Sequence, residues 1–147
     1  MKSTPLVVLV ILAVTLLTSY KKKDNTMMAT RAALLTAHSW QVEKVIASNQ
    51  AGIGSVVVYK KGASHNNQDF SHYQLTFKED GTYQGTDENG HSGSGTWQLT
   101  NNASQLSVDG GSKVSDLVML SDSQLNIRAT DSRTGQTVQL TLKKTAA

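Results

Sequence analysis

From Trp40 onward, apolar and polar residues alternate with period two, the signature of strands that bury one face. Tyr73, Leu75 and Phe77 alternate with Gln74, Thr76 and Lys78, and Glu79-Asp80-Gly81 then turns the chain back into Thr82-Tyr83-Gln84. Glycine accepts the positive φ such a hairpin turn requires. Gly95, Trp97 and Leu99 alternate with Thr96, Gln98 and Thr100, and Asn101-Asn102 turns the chain toward Leu106 and Val108. Gly110-Gly111 leads to a strand carrying Val118 and Leu120. Ser121-Asp122-Ser123 precedes Leu125, Ile127 and Ala129, and Asp131 to Gly135 turns the chain into Val138, Leu140 and Leu142. Short strands with regular turn signals and no intervening helix predict an all-β antiparallel meander. A meander of about eight strands buries its apolar face by closing or by folding over, and closure also removes exposed edges. The expected fold is therefore a small up-and-down barrel. Its opening is less regular: Trp40 and Val42 alternate, but Lys44 falls on the inward parity, which predicts a bulge or barrel rim near Val45. Ser55 to Lys61, with Val56, Val57 and Val58 in succession, fits either facing.

Ahead of the strands, Arg31 to Ala37 tolerates helical geometry and predicts one short helix that caps an end of the barrel, burying Leu34 and Leu35. Earlier still, Lys2 is followed by Leu6 to Leu17, an uncharged run of twelve residues. That length suits a signal-peptide core of about 7 to 15 residues and falls short of the ~20 needed for a transmembrane helix. The chain thus divides into a signal peptide or uncleaved anchor (1–20), a linker (21–30) and one barrel domain (31–147). The 117 residues of that domain are enough for one core and too few for two.

Leu17-Thr18-Ser19 resembles the lipobox of bacterial lipoproteins, in which a lipidated cysteine follows, but residue 20 is Tyr and the chain contains no cysteine. A tyrosine ring forms no thioether, so lipidation by that route is closed to this sequence. Ordinary cleavage after Ser19 places Leu17 where a small residue is wanted. An uncleaved anchor is expected, the alternative being a single-base change at a cysteine codon. The predicted location is the bacterial cell envelope, periplasmic or membrane-attached through the N-terminal segment.

The short helix entering the Trp40 strand, the hairpin Tyr73-Gln-Leu-Thr-Phe-Lys-Glu-Asp-Gly-Thr-Tyr83 and the strand Gly95-Thr96-Trp97 together resemble the lipocalin-like domains of bacterial envelope lipoproteins, over roughly residues 32 to 143. The resemblance implies a small antiparallel barrel in the cell envelope. The departure at Tyr20 bears on the lipid anchor and not on the barrel.

The net charge of +3 points at first to an acidic partner, but Lys2, Lys21, Lys22 and Lys23 belong to the leader and its exit. Beyond Asp24 the chain carries ten cations and ten acids, and the cations are scattered except for Lys60-Lys61 and Lys143-Lys144. Nucleic acid is not an expected partner. The lysine run reads as a solvated spacer at the membrane exit or as a contact for anionic head groups. Without cysteine there are no disulfides and no thiolate chemistry. His38, His65, His72 and His91 lack metal-ligand spacing. Asp87, Asn89 and Gly90 look faintly like a calcium loop, but His91 and Gln98 stand where ligands belong. Neither a cofactor nor a metal is expected. No nucleophile elbow, P-loop or zinc-protease motif appears, and Glu79, Asp80, Asp87 and Glu88 are explained by turns; an enzyme is not expected.

Binding remains. The apolar interior places Trp40, Tyr73, Phe77, Tyr83 and Trp97 as candidate ligand contacts, for a small apolar or aromatic molecule in or at the mouth of the barrel. The two tryptophans equally suit core anchors. Gly85, Gly93 and Gly95 interrupt the inward face, where they either leave a hollow beside Trp97 or relieve a close backbone approach. The competing class is a monomeric, filled-core interaction module whose loops Asn49 to Gly54, Gly62 to Gln68 and Asp87 to Ser92 contact protein or glycan.

Overall fold

A computed structural model describes residues 25–48 and 54–145. The leader and the first residues of the linker lie outside this range, so the expectations about cleavage and anchoring do too. Among the described residues, nine strands form one antiparallel sheet: β1 (Ser39–Ser48), β2 (Ser55–Lys60), β3 (Gln74–Phe77), β4 (Thr82–Thr86), β5 (Ser92–Thr100), β6 (Gln105–Val108), β7 (Lys113–Leu120), β8 (Gln124–Thr130) and β9 (Thr137–Lys144). From β3 to β9 each strand pairs with its successor, as the hairpin signals imply, and β9 pairs back onto β1.

The other edge of β1 is divided. Its first residues pair with β3, through Trp40 opposite Leu75, and its last residues pair with β2, through Val45 opposite Tyr59. Eight strands, β1 and β3–β9, therefore close the barrel, and β2 extends the same edge of β1 beyond β3. Val56 and Val57 on β2 are both exposed, while Tyr59 is buried; the register against β1 slips between Val45 and Ile46 and leaves Val58 as the extra residue, so no single facing runs along this strand.

Besides the slip against β2, two bulges set which residues face inward. The register of β1 against β9 slips between Val42 and Lys44, so Glu43 is the extra residue and Val45 returns to the interior at 2% exposure. The irregularity expected near Val45 is this bulge. A second slip, between Leu117 and Met119 on β7, makes Val118 the extra residue. Leu117 is buried as a result and Val118 is exposed.

The helix α1 spans residues 25–36, starting earlier than the run from Arg31. The Thr30 and Thr36 hydroxyls donate to the carbonyls of Thr26 (2.9 Å) and Ala32 (3.0 Å), so these polar side chains are satisfied along the helix itself. Met28, Ala32 and Leu35 recur at helical spacing and pack on the barrel core. Leu35 is fully buried, whereas Leu34 is only half-buried.

Two hydrogen bonds seat α1 on the barrel. The Trp40 Nε1–H donates to the Leu35 carbonyl at 2.9 Å, satisfying a group in the last turn that has no partner within the helix. Arg31 Nη1 donates to the Ala103 carbonyl at 2.7 Å. Ala103 ends a turn in which Asn101, Asn102 and Ala103 all have positive φ, so the arginine grips the most strained part of the β5–β6 connection. Beneath the helix, Trp40, Val42, Phe77, Leu99, Leu106, Leu125 and Leu142 fill the barrel.

The same end carries an ionic clamp. Asp122, in the β7–β8 turn, faces His38 Nε2 at 2.9 Å and Lys144 Nζ at 2.9 Å, linking the start of β1 to the end of β9. The hydrogen bond from His38, followed by the hydrogen bond and charge of Lys144, lowers the Asp122 carboxyl to about 2. A pKa depressed on folding adds stability above the ordinary carboxyl value of 3.8 and loses it as the pH falls toward 2. Urea midpoints should therefore be higher for the natural chain than for Asp122→Asn at neutral pH, and the gap should shrink between these two values. The clamp is exposed, so the gap is expected to be small.

Candidate functional site

At the end opposite α1, the turns at residues 87–91, 109–112 and 131–136 surround an interior that is not filled. Hydrophobic residues here, among them Tyr73, Leu75, Tyr83, Val108 and Leu140, are only partly buried. A cavity of about 780 Å³ opens between β7, β8 and β9, walled by Tyr73, Ile127, Val138 and Leu140, with Lys113 and Ser115 on the β7 side. Asp131, Arg133 and Gln136 form its rim. A second hollow of about 370 Å³ lies between β3, β4 and β5 and includes Tyr73, Leu75, Tyr83, Glu88, Gly93 and Lys113. Tyr73 and Lys113 line both, so the two are lobes of one mouth.

Tyr73 sits at the junction. Burial raises its hydroxyl above the ordinary tyrosine value, with Tyr83 and then Glu88 adding to the shift, so the group stays protonated as a donor at neutral pH. Tyr83 is raised by burial and by its hydrogen bond to Asp109, whose Oδ2 accepts from the phenol at 3.1 Å. The other oxygen of Asp109 accepts from the Thr96 amide at 3.2 Å, which ties the β6–β7 turn onto β5.

Each glycine on the inward face has its own explanation. A Cβ on Gly85 would fall 2.6 Å from the Gln74 carbonyl oxygen, and one on Gly95 would fall 2.0 Å from Asp109 Oδ1 and 2.8 Å from the Tyr83 ring. Close approach accounts for both. Gly93 meets nothing within 4 Å and borders the smaller lobe, as Gly85 does, but Trp97 lines neither lobe, so the glycines do not place a hollow beside it.

Of the five candidate contacts, Tyr73 lines both lobes and Tyr83 the smaller one. Trp40 and Phe77 are 0% and 2% exposed, in the core beneath α1. Trp97 packs edge-on against Phe77 with ring centroids 5.7 Å apart, and its Nε1 donates to the Lys78 carbonyl at 2.9 Å. Its amide donates to the Gly81 carbonyl at 2.8 Å. One residue thereby locks the Lys78 to Gly81 turn, which explains why the Phe77 to Tyr83 hairpin and the Gly95-Thr96-Trp97 strand occur together. Asp87 accepts from the amides of Asn89 and His91, both at 2.9 Å, and serves as the organiser of its own turn.

Lys113 and Ser115 were not among the expected interior positions. Their inward facing follows from Leu117 by alternation, but only once Val118 is recognised as a bulge. A separate trough of about 540 Å³ runs over the outer wall of β3–β5, lined by Gln74, Thr76, Gln84, Thr86, Ser92 and Ser94 together with Gly85 and Gly93.

A closed antiparallel barrel with a helix across one end and an open mouth at the other defines a small lipocalin-like architecture. Residues 36–127 match the model of the lipocalin-like domain, and the chain belongs to that family. A search of curated proteins gives no match. Among solved structures, a lipocalin-like protein from Bacteroides uniformis is similar at 14% identity and a TM-score of 0.47, over 76% of this chain and 99% of that one. A redesigned β-barrel is similar at 18% identity and a TM-score of 0.37, over 79% and 96% of the two chains.

Proposed function

We propose that this chain is an exported binding barrel of the bacterial cell envelope that takes a small apolar ligand at its mouth. The observation that carries the reading is the cavity of about 780 Å³ at the end left uncovered by α1. That volume lies within the range of about 300–1,000 Å³ usual for small-molecule sites. Ile127, Val138 and Leu140 offer an apolar wall, and Tyr73 a protonated hydroxyl where the two lobes meet. In this reading the barrel acts as a monomeric binder or carrier rather than an enzyme, and needs neither cofactor nor metal. Its residue 20 offers no sulfur for a lipid, so the N-terminal apolar run supplies any attachment to the membrane.

A second reading, a module whose outer surface contacts protein or glycan, is favoured by the trough on β3–β5. Its lining is uncharged and consists of amides, hydroxyls and glycine.

Fluorescence of the neutral probe N-phenylnaphthylamine separates the two. The chain is expected to enhance the probe's emission saturably, and Val138→Trp, which adds bulk at a mouth position already 37% exposed, is expected to weaken binding at least about tenfold. Absence of enhancement, or binding indifferent to Val138→Trp, counts against the mouth as the site. Export is tested by mass spectrometry of the protein recovered from cell fractions. An intact Met1 in the membrane fraction fits the uncleaved anchor, whereas full-length protein in the cytosol contradicts export.

A further inference from the structure

The mouth is electrically divided. Lys113, on the inward face of β7 opposite Val108, lines both lobes and has no carboxylate within ion-pair distance among the described residues. Arg133 stands on the rim of the larger lobe. The one acid of that rim, Asp131, is engaged by its own turn: its Oδ1 accepts from the amides of Arg133 at 2.8 Å and Thr134 at 3.2 Å, and the Arg133 Nε lies 3.9 Å away. Across the mouth, Glu88 borders the smaller lobe, is half-buried and has no ion-pair partner among the described residues. Lys113 is therefore the cation of the larger lobe without a counter-ion among the described residues, while Asp87, engaged by its own turn, and the unpaired Glu88 border the smaller lobe that Lys113 also lines.

We infer that the mouth selects an amphiphilic anion, whose apolar body lies against Ile127, Val138 and Leu140 and whose negative head is held at Lys113, turned away from Glu88. This rests on the reading of the mouth as a ligand site and adds the sign of the ligand's charge. A purely apolar ligand would leave the Lys113 ammonium hydrated beside it and gain nothing from its position. An anion gains a charge-assisted hydrogen bond there, and a cation in the same place meets like charge. Lys113 is exposed, so the attraction is screened by water and salt, and the discrimination expected is modest.

Isothermal titration of the full chain, prepared without detergent, with decanoate, decanol and decylammonium tests the charge preference at constant tail length. Decanoate is expected to bind about threefold more tightly than decanol, and decylammonium most weakly. Lys113→Met should bring decanoate down to the level of decanol while leaving decanol unchanged, a pattern that misfolding would not produce. Glu88→Gln should leave decanoate binding as tight or tighter. Equal binding of decanoate and decanol by the natural chain, or a preference that survives Lys113→Met, overturns the inference and leaves the mouth as an apolar site. Failure of all three to bind overturns the ligand-site reading along with it.

Discussion

The architecture depends on the indole of Trp40. It is fully buried, and it lies on β1, the strand that meets β9 on one edge and both β3 and β2 on the other. Its ring fills the end of the barrel, and its N–H reaches the Leu35 carbonyl. A buried N–H without an acceptor costs about 1–3 kcal/mol, and so does a buried carbonyl without a donor, so the two groups answer each other's need. The same residue thus closes the seam of the sheet and holds α1 across one end. Arg31 on the Ala103 carbonyl and Asp122 between His38 and Lys144 tie down the periphery of that end. With one end sealed in this way, apolar residues of correct parity at the other end, Val138 and Leu140, have nothing above them. The mouth is the remainder of the barrel that the helix does not cover.

Most of the fold was legible because turn chemistry and period-two alternation agree. The signals at Glu79-Asp80-Gly81, Asn101-Asn102 and Ser121-Asp122-Ser123 all mark real strand connections, and Gly81 adopts the positive φ its turn calls for. Bulges were harder. Near Val45 the conflict between Lys44 and the inward parity is visible in the residue types themselves, because a lysine in the barrel core would leave a charge without water. On β7 nothing in the run Val114 to Leu120 raises an alarm: Leu117 and Val118 are equally apolar, and only the pairing with β8 decides between them. A slip of one residue exchanges the two faces of a strand, which is why Val118 faces outward and Lys113 inward.

The site was legible to the extent that aromatic chemistry reports location. Tyr73 and Tyr83 are amphipathic and lie where the interior meets water, with hydroxyls raised by burial yet reachable from the mouth. Trp40 and Trp97 are read equally well as anchors or as walls until their N–H partners are known; both bond to backbone carbonyls, of Leu35 and Lys78. Glycine carried the least information. Gly85, Gly93 and Gly95 share one parity, but two are excluded from bearing a side chain by neighbours distant in sequence, and the third borders open space.

Hydrogen exchange on Trp40→Phe, paired with urea denaturation, tests most directly whether one indole organises the sealed end. Phenylalanine keeps most of the apolar volume and removes the donor to Leu35. The account predicts a loss of about 1–3 kcal/mol in stability, with residues 25–36 losing protection before β4 and β5 do. A variant as stable as the natural chain, with α1 equally protected, would contradict it.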